Sequence, residues 1–321
     1  MNSLKDLAKV LKKSKRIALF THVSPDFDAL GSVFALYYSL KNMGKEPEIF
    51  IEEQLSTKQK SLVEEKLINH GECDQTKFDT FVCCDVSDIK RLGAYSSIYE
   101  GNNNTIVLDH HLAVQLIGKY NHIDASISSC AELVYDLLKI MKVKFSTKTL
   151  SMVYAGLASD TNSFINTNTN EHSFRVAYEI TKAGVDTNFI NETLFKTLTK
   201  TQILFQQYLW NNYKINKDCA YILLDNKTLQ SLKGEEGDYS GFSAKLISIQ
   251  NVKYSFSLVE KEPGVVTVSL RSRKGYDVRS VAEKLGGGGH LCASGAKINT
   301  SNLSKIKTEI LKAINQAKAE K

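Results

Sequence analysis

No apolar run in this chain approaches the ~20 residues that a membrane-spanning helix needs. The amino-terminal stretch MNSLKDLAKVLKKSKR carries apolar residues at Leu4, Leu7, Val10 and Leu11, with lysines between them. That is helical spacing rather than a continuous apolar signal segment, so an amphipathic first helix and a cytoplasmic chain are expected. No CxxC pair occurs among the cysteines at 73, 83, 84, 130, 219 and 292. A zinc knuckle and a dithiol redox motif are therefore disfavoured. Cys83 and Cys84 lie in the apolar run FVCC and read as buried, reduced thiols; adjacent cysteines on a strand seldom pair. Dense basic clusters are also missing. Lys+Arg number 41 against 35 Asp+Glu, a formal charge of +6, which permits an anionic ligand but argues against long duplex DNA. There is no internal repeat and no low-complexity segment.

What is present is alternation of strand and helix. RIALFTH (16–22), EIFI (48–51), TFVCCDV (80–86) and NTIVLDHH (104–111) read as strands. DALGSVFALYYSLKNMG (28–44) reads as a helix closed by Gly44, and KQKSLVEEKLI (58–68) as helical or irregular. This predicts an open α/β fold with a mainly parallel sheet flanked by helices. Three further helices are expected at 130–141, 147–160 and 171–184, and a linking helix at 199–214. The remainder, from AYILLD (220–225) through GVVTVSLRSR (264–273) to a final helix from 301, reads as a smaller strand-rich α+β domain. The length suits two domains, with the expected boundary between 195 and 196.

The polar residues fall at strand ends. RIALFTH ends at His22 and runs into Asp26 and Asp28. FVCCD ends at Asp85, TIVLDHH at Asp109, His110 and His111, and the helical run SMVYAGLASD at Asp160. In open α/β sheets, ligands bind beyond the carboxyl ends of the strands. Parallel strands would therefore bring His22, Asp26, Asp28, Asp85, His110 and Asp160 to one edge. Each alone has a plainer explanation: Asp28 as a helix cap, His22 as a buried, hydrogen-bonded histidine. Together, two imidazoles and four carboxylates are too many for one structural zinc. The oxygen-rich mixture suits two divalent ions such as Mn²⁺, which can clamp a phosphoryl group. His70, His122 and His172 have no such company and read as structural.

GGGGH at 286–290 is the second signal. Four glycines between a helix and a histidine suggest positive φ or close approach to a ligand, and their amides could face phosphate. Arg271 and Arg273 precede them and could supply phosphate-binding forks.

These segments together resemble the DHH phosphoesterase family with its DHH-associated carboxyl-terminal domain. THVSPDFDALGS (21–32), CCD (83–85), DHH (109–111) and GLASDTNSF (156–164) are similar to its four motifs, in order. LRSRKGYDVRSVAEKLGGGGHLCASG (270–295) is similar to the signature of the associated domain. The short two-domain form resembles the nanoRNase/pAp-phosphatase group. That group degrades short oligoribonucleotides to mononucleotides in RNA degradation and converts 3′-phosphoadenosine 5′-phosphate to AMP. The stretch FSAKLISIQNVKYSFSLVE also resembles the branch acting on cyclic di-AMP and linear diadenylate. Two departures stand out. The fourth motif reads Asp160-Thr161-Asn162 in place of DTG, and Phe164-Ile165-Asn166 lacks the arginine common there.

The resemblance implies that His22 and Asp26 hold one ion and that Asp28, His110 and Asp160 hold the other, with Asp85 bridging. It implies that Asp109 orients the metal-binding histidine and that His111 meets the scissile phosphate. Ser128, Ser129 and Glu132 are similar to a substrate-side segment. They equally fit a helix start, with Glu132 completing a capping box if Ser129 is the cap. Arg271, Arg273, Gly287, Gly288, Gly289 and His290 would grip a terminal phosphate or the nucleotide next to the cut. The expected partners are short RNA or small nucleotides, without a membrane, and a homodimer is a further expectation. A nucleic-acid-binding module without catalysis is the rival class. Clustered carboxylates disfavour it, because they repel phosphates unless metals intervene.

Overall fold

The computed structural model describes residues 1–102, 104–111, 116–234 and 236–319. The chain forms two compact units, Met1–Thr197 and Leu198–Lys321.

The first unit runs α1 (Leu4–Lys13), β1 (Arg16–Phe20), α2 (Phe27–Asn42), β2 (Glu46–Phe50), α3 (Thr57–Lys60) and β3 (Ile68–Asn69). It continues with β4 (Thr80–Cys84), α4 (Ser96–Glu100), β5 (Thr105–Asp109), β6 (Tyr120–Ile123), α5 (Cys130–Met141), α6 (Thr147–Asp160), α7 (Glu171–Lys182) and α8 (Thr187–Asn191). The strands form one sheet in the order β3-β2-β1-β4-β5-β6, and every pair is parallel. Both faces are covered, as parallel sheets require, and the period of two assigns each side chain to a face. Ile17, Leu19, Val82, Cys84, Ile106 and Leu108 face the helical core. Ala18, Phe20, Phe81, Cys83 and Val107 face a second layer rich in aromatic rings, with Phe50, Phe78, Tyr95 and Tyr99. Cys83 and Cys84 are buried and unpaired, as the apolar run suggested.

In the first unit, two strands lie outside the sequence expectation. β3 has only two residues and begins at the end of the stretch 58–68, whose sequence reads as helical or irregular. β6 reads YNHI, too polar to announce a strand, and it stands at the sheet edge beside β5.

The second unit runs α9 (Lys200–Asn212), β7 (Lys214–Asn216), β8 (Cys219–Leu224), α10 (Asn226–Leu232), α11 (Glu236–Tyr239), α12 (Phe242–Leu246) and β9 (Tyr254–Glu262). β10 (Val265–Ser272), α13 (Arg279–Lys284), β11 (Gly288–His290), β12 (Ala293–Asn299) and α14 (Leu303–Ala319) complete it; residues 320–321 of the expected last helix lie outside the described residues. Its sheet has the order β11-β12-β10-β9-β8-β7. Only β8 and β9 pair in parallel; the other neighbours are antiparallel. This is an α+β unit. No helix among the described residues is long and apolar enough to cross a membrane.

The glycine run leads into a hairpin. Gly288–His290 is an edge strand paired with Ala293–Gly295. The hairpin accounts for three of the four glycines. Gly286 and Gly289 have φ of 78° and 137°, and a Cβ on Gly287 would lie 2.0 Å from the Gly295 carbonyl oxygen. Gly288 is different: φ is unremarkable and a Cβ would meet nothing within 4 Å.

Candidate metal centre

The order β3-β2-β1-β4-β5-β6 reverses direction between β1 and β4, and a crevice opens at the carboxyl ends of the strands at such a point. β1 delivers His22, and α2 begins with Asp26 as its N-cap and Asp28 in its first turn. β4 delivers Asp85, and β5 delivers Asp109, His110 and His111. Asp160 is the last residue of α6.

Three groups of side chains converge there, each with ligand atoms within 4.8 Å of one another: His22–Asp26–Asp85, Asp28–His110–Asp160 and Asp85–His110–His111. Asp85 Oδ2 lies 3.5 Å from His22 Nε2, and Asp85 Oδ1 lies 3.5 Å from His110 Nε2 and 3.4 Å from His111 Nδ1. His110 Nε2 is 3.2 Å from Asp160 and 3.6 Å from Asp28. The structure thus gathers all six residues expected at one edge, and Asp85 touches both sides of the cluster.

Neighbouring backbone fixes most of these groups. His22 Nδ1 meets the Val23 carbonyl at 2.8 Å, which turns Nε2 toward the carboxylates. The His110 ring bonds the Ile127 backbone. Asp26 Oδ1 accepts from the Asp28 and Ala29 amides. Asp28 is fully buried. Its two oxygens accept the Cys130 and Ala131 amides at 2.7 and 2.9 Å, the first turn of α5. Asp85 adopts φ of 62° and donates its amide to the Leu108 carbonyl.

Burial and crowding govern the charges. Burial, with Asp160, Asp85 and Asp26 nearby, pushes the Asp28 carboxyl well above the usual carboxylate range. Burial and the carboxylates of Asp26 and Asp85 do the same to Asp160. Burial also presses Asp85 upward, but the His22 hydrogen bond and the charges of His110 and His111 outweigh it and hold it at about 2. Burial lowers the His110 imidazole. For His111, burial is outweighed by the Asp109 hydrogen bond and the charge of Asp85, and its pKa rises to about 9. Asp85 Oδ1 and Asp109 Oδ2 are buried without a hydrogen-bond partner. Such orphaned oxygens are costly unless a cation takes them up. The donor set of carboxylates and imidazoles, with an oxygen in want of a partner, fits divalent metal ions.

Two residues act differently from expectation. Asp109 bonds the ring of His111 rather than that of His110: its Oδ1 lies 2.9 Å from His111 Nδ1 and also accepts both histidine backbone amides. The tight turn after β5 folds His111 back onto it. Ser129 is the N-cap of α5, accepting from the Glu132 amide, but Glu132 completes no capping box. Its buried carboxylate turns aside to Ser128, Ser173 and His172. His172 therefore has company that the sequence did not reveal, because its partners lie 40 residues away on another helix. Ser128 and Ser129 are themselves wholly buried.

In the second unit, Arg273 spends its guanidinium on the Val252, Ile247 and Ile249 carbonyls. Arg271 donates to its own neighbour Leu270 at 2.9 Å, and burial lowers its pKa. His290 is exposed on β11, beside Gly289.

Comparison with known proteins adds relatives. Residues 16–157 match the DHH family, N-terminal domain, and residues 225–320 match the DHHA1 domain. The bifunctional oligoribonuclease and PAP phosphatase NrnA of Thermus thermophilus is 29% identical over 318 residues, covering 97% of this chain and 93% of the relative. Its namesake from Bacillus subtilis is 28% identical over 302 residues, covering 91% and 92%. The crystal structure of an exopolyphosphatase-related protein from Bacteroides fragilis superposes with a TM-score of 0.89 at 25% identity, covering 98% of this chain and 96% of that one.

Proposed function

Because the chain belongs to the DHH family, with a DHHA1 domain after the DHH domain, we propose that it is a Mn²⁺-dependent phosphoesterase. In this reading it cleaves short oligoribonucleotides to mononucleotides and converts 3′-phosphoadenosine 5′-phosphate to AMP. Relatives described as oligoribonuclease and PAP phosphatase support the substrate class. The observation that carries the chemistry is Asp85, set between His22 on one side and His110 and His111 on the other. The absence of disulfides among the described cysteines suits a cytoplasmic setting.

His22 and Asp26 would hold one ion, and Asp28, His110 and Asp160 the other, with Asp85 shared. Bound there, two divalent ions would supply an activated water at neutral pH and offset charge on the phosphoryl oxygens. The chain's own groups do the rest. Asp109 keeps the His111 ring oriented and protonated, so His111 can donate to a phosphate oxygen or to the departing oxygen. Burial of Asp28, Asp85 and Asp109 keeps bulk water away and strengthens each charge interaction. Arg271 and the Gly288 amide would anchor a substrate phosphate; glycine at 288 is unexplained by the fold itself, which fits close approach of a ligand.

The test is turnover of linear diadenylate, a five-nucleotide RNA, 3′-phosphoadenosine 5′-phosphate and cyclic di-AMP, each with Mn²⁺. Mononucleotide release from the linear substrates is expected. Asp85→Ala should lower it by at least about a hundredfold, since even outer partners of metal ligands cost ten- to a hundredfold. Efficient ring opening would instead assign cyclic dinucleotides. No turnover, with salt-dependent RNA binding, would leave a binding module.

A further inference from the structure

Glu132, Ser128, Ser173, His172 and Asp136 form a polar network that the chemistry above does not use. Glu132 sits in the first turn of α5 and is fully buried. Its Oε1 accepts from Ser128 and, at 3.2 Å, from Ser173; its Oε2 meets His172 Nδ1 at 2.6 Å. The other ring nitrogen, Nε2, lies 2.9 Å from Asp136 one turn along α5. With a carboxylate on each nitrogen, His172 is an imidazolium; Asp136 and Glu132 lift its pKa to about 9. A buried carboxylate is tolerable because this charge and two hydroxyls satisfy it.

The network borders the metal cluster on two sides. At the two positions just before Glu132, the amides of Cys130 and Ala131 hold Asp28. Ser128 gives its hydroxyl to Glu132, and its carbonyl accepts the Asn168 side chain, whose amide also reaches the Asp160 carbonyl at 3.3 Å. The start of α5 is thus pinned between α7, the Asp28 carboxylate and, through Asn168, the backbone at the end of α6 that carries Asp160. We propose that His172 is a positioning residue: by neutralising and clamping Glu132 it fixes the start of α5, and so holds Asp28 and Asp160 in ligand geometry. This rests on the metal reading above, and it concerns only one of the two groups. Among the described residues, no hydrogen bond or ion pair ties His22, Asp26 or Asp85 directly to the network, so an ion held there should be indifferent.

The experiment uses the full chain. Hydrogen exchange is followed at the Cys130 and Ala131 amides without metal, and Mn²⁺ uptake is titrated by electron paramagnetic resonance. His172→Ala is compared with Val176→Ala, a buried position of the same helix outside the network, as a destabilised control. Glu132→Gln/His172→Gln removes the charge pair together and serves if His172→Ala does not fold. The expected result is faster exchange at both amides in His172→Ala and about tenfold weaker uptake of one Mn²⁺ with the other unchanged. The control should show neither, and the double substitution should recover most of the affinity. Unchanged amides and two unchanged affinities in His172→Ala would overturn the proposal, as would an equal loss in Val176→Ala. If the wild-type chain takes up no Mn²⁺, the metal reading fails first, and the amide exchange still reports on the clamp.

Discussion

Asp85 follows directly on β4, and its backbone leaves β geometry at once. Its φ of 62° costs an L-residue about 1–2 kcal/mol, and the Leu108 carbonyl on its amide holds it there. Strain of this kind collects where a side chain must point in one direction only. Asn162 repeats the lesson. It stands where the family motif has glycine, and its φ is 48°; asparagine is among the few residues that tolerate that region. The letter departs from the motif and the conformation does not require glycine. His172 supplies a pH prediction. Glu132 and Asp136 face it from α5, and Asp124 senses its charge. Its pKa is raised from 6.5 to about 9. The stability it adds is fully present below 6.5 and lost as pH rises through about 9. Partial exposure screens the effect, leaving roughly 1–2 kcal/mol. Urea unfolding of metal-free wild type and His172→Gln should therefore differ most near pH 6 and converge above about pH 9.

At the scale of elements, α2, α5 and α6 approach one another through missing side chains. A Cβ on Gly156 would lie 2.6 Å from the Ala131 Cβ and 2.8 Å from Asp28 Oδ1. Gly156→Ala should cost about 1–3 kcal/mol by overpacking, read as a lower urea midpoint. It should also weaken Mn²⁺ uptake, because the atom it strikes is a candidate ligand. Much of this layer was legible beforehand. β1, β4 and β5 announced themselves as short apolar runs, and parallel strands necessarily end on one edge, so His22, Asp85 and His110 could be set together from sequence. The helices at 130–141 and 147–160 end where their pattern ends. β6 was not legible because YNHI has no apolar period. The glycine hairpin was not, because Gly287 answers to a neighbour, Gly295, that only the pairing of β11 with β12 brings near. The His172–Glu132 pair escaped for the same reason.

For the whole molecule, the two units should answer differently to metal. Among the described residues, every candidate ligand group belongs to Met1–Thr197. An ion bound only by the folded form adds about 2.7 kcal/mol at a hundred times its Kd. Calorimetry of the full chain should show Mn²⁺ raising the unfolding of the first unit and leaving that of the second in place; a uniform rise of both would contradict it.

The sheet order has a further consequence, in time rather than in space. β1 becomes useful only beside β4: Thr21 bonds Cys84 across 63 residues, and Asp28 waits for Cys130 across 102. Contacts so distant along the chain are slow to form. During synthesis from the amino terminus, the first histidine and aspartates emerge long before their partners, and Asp160 emerges last of the six. A growing chain therefore carries loose carboxylates but no cation trap until most of its first unit has been made. A metal site built from these six residues would be completed late, together with the fold.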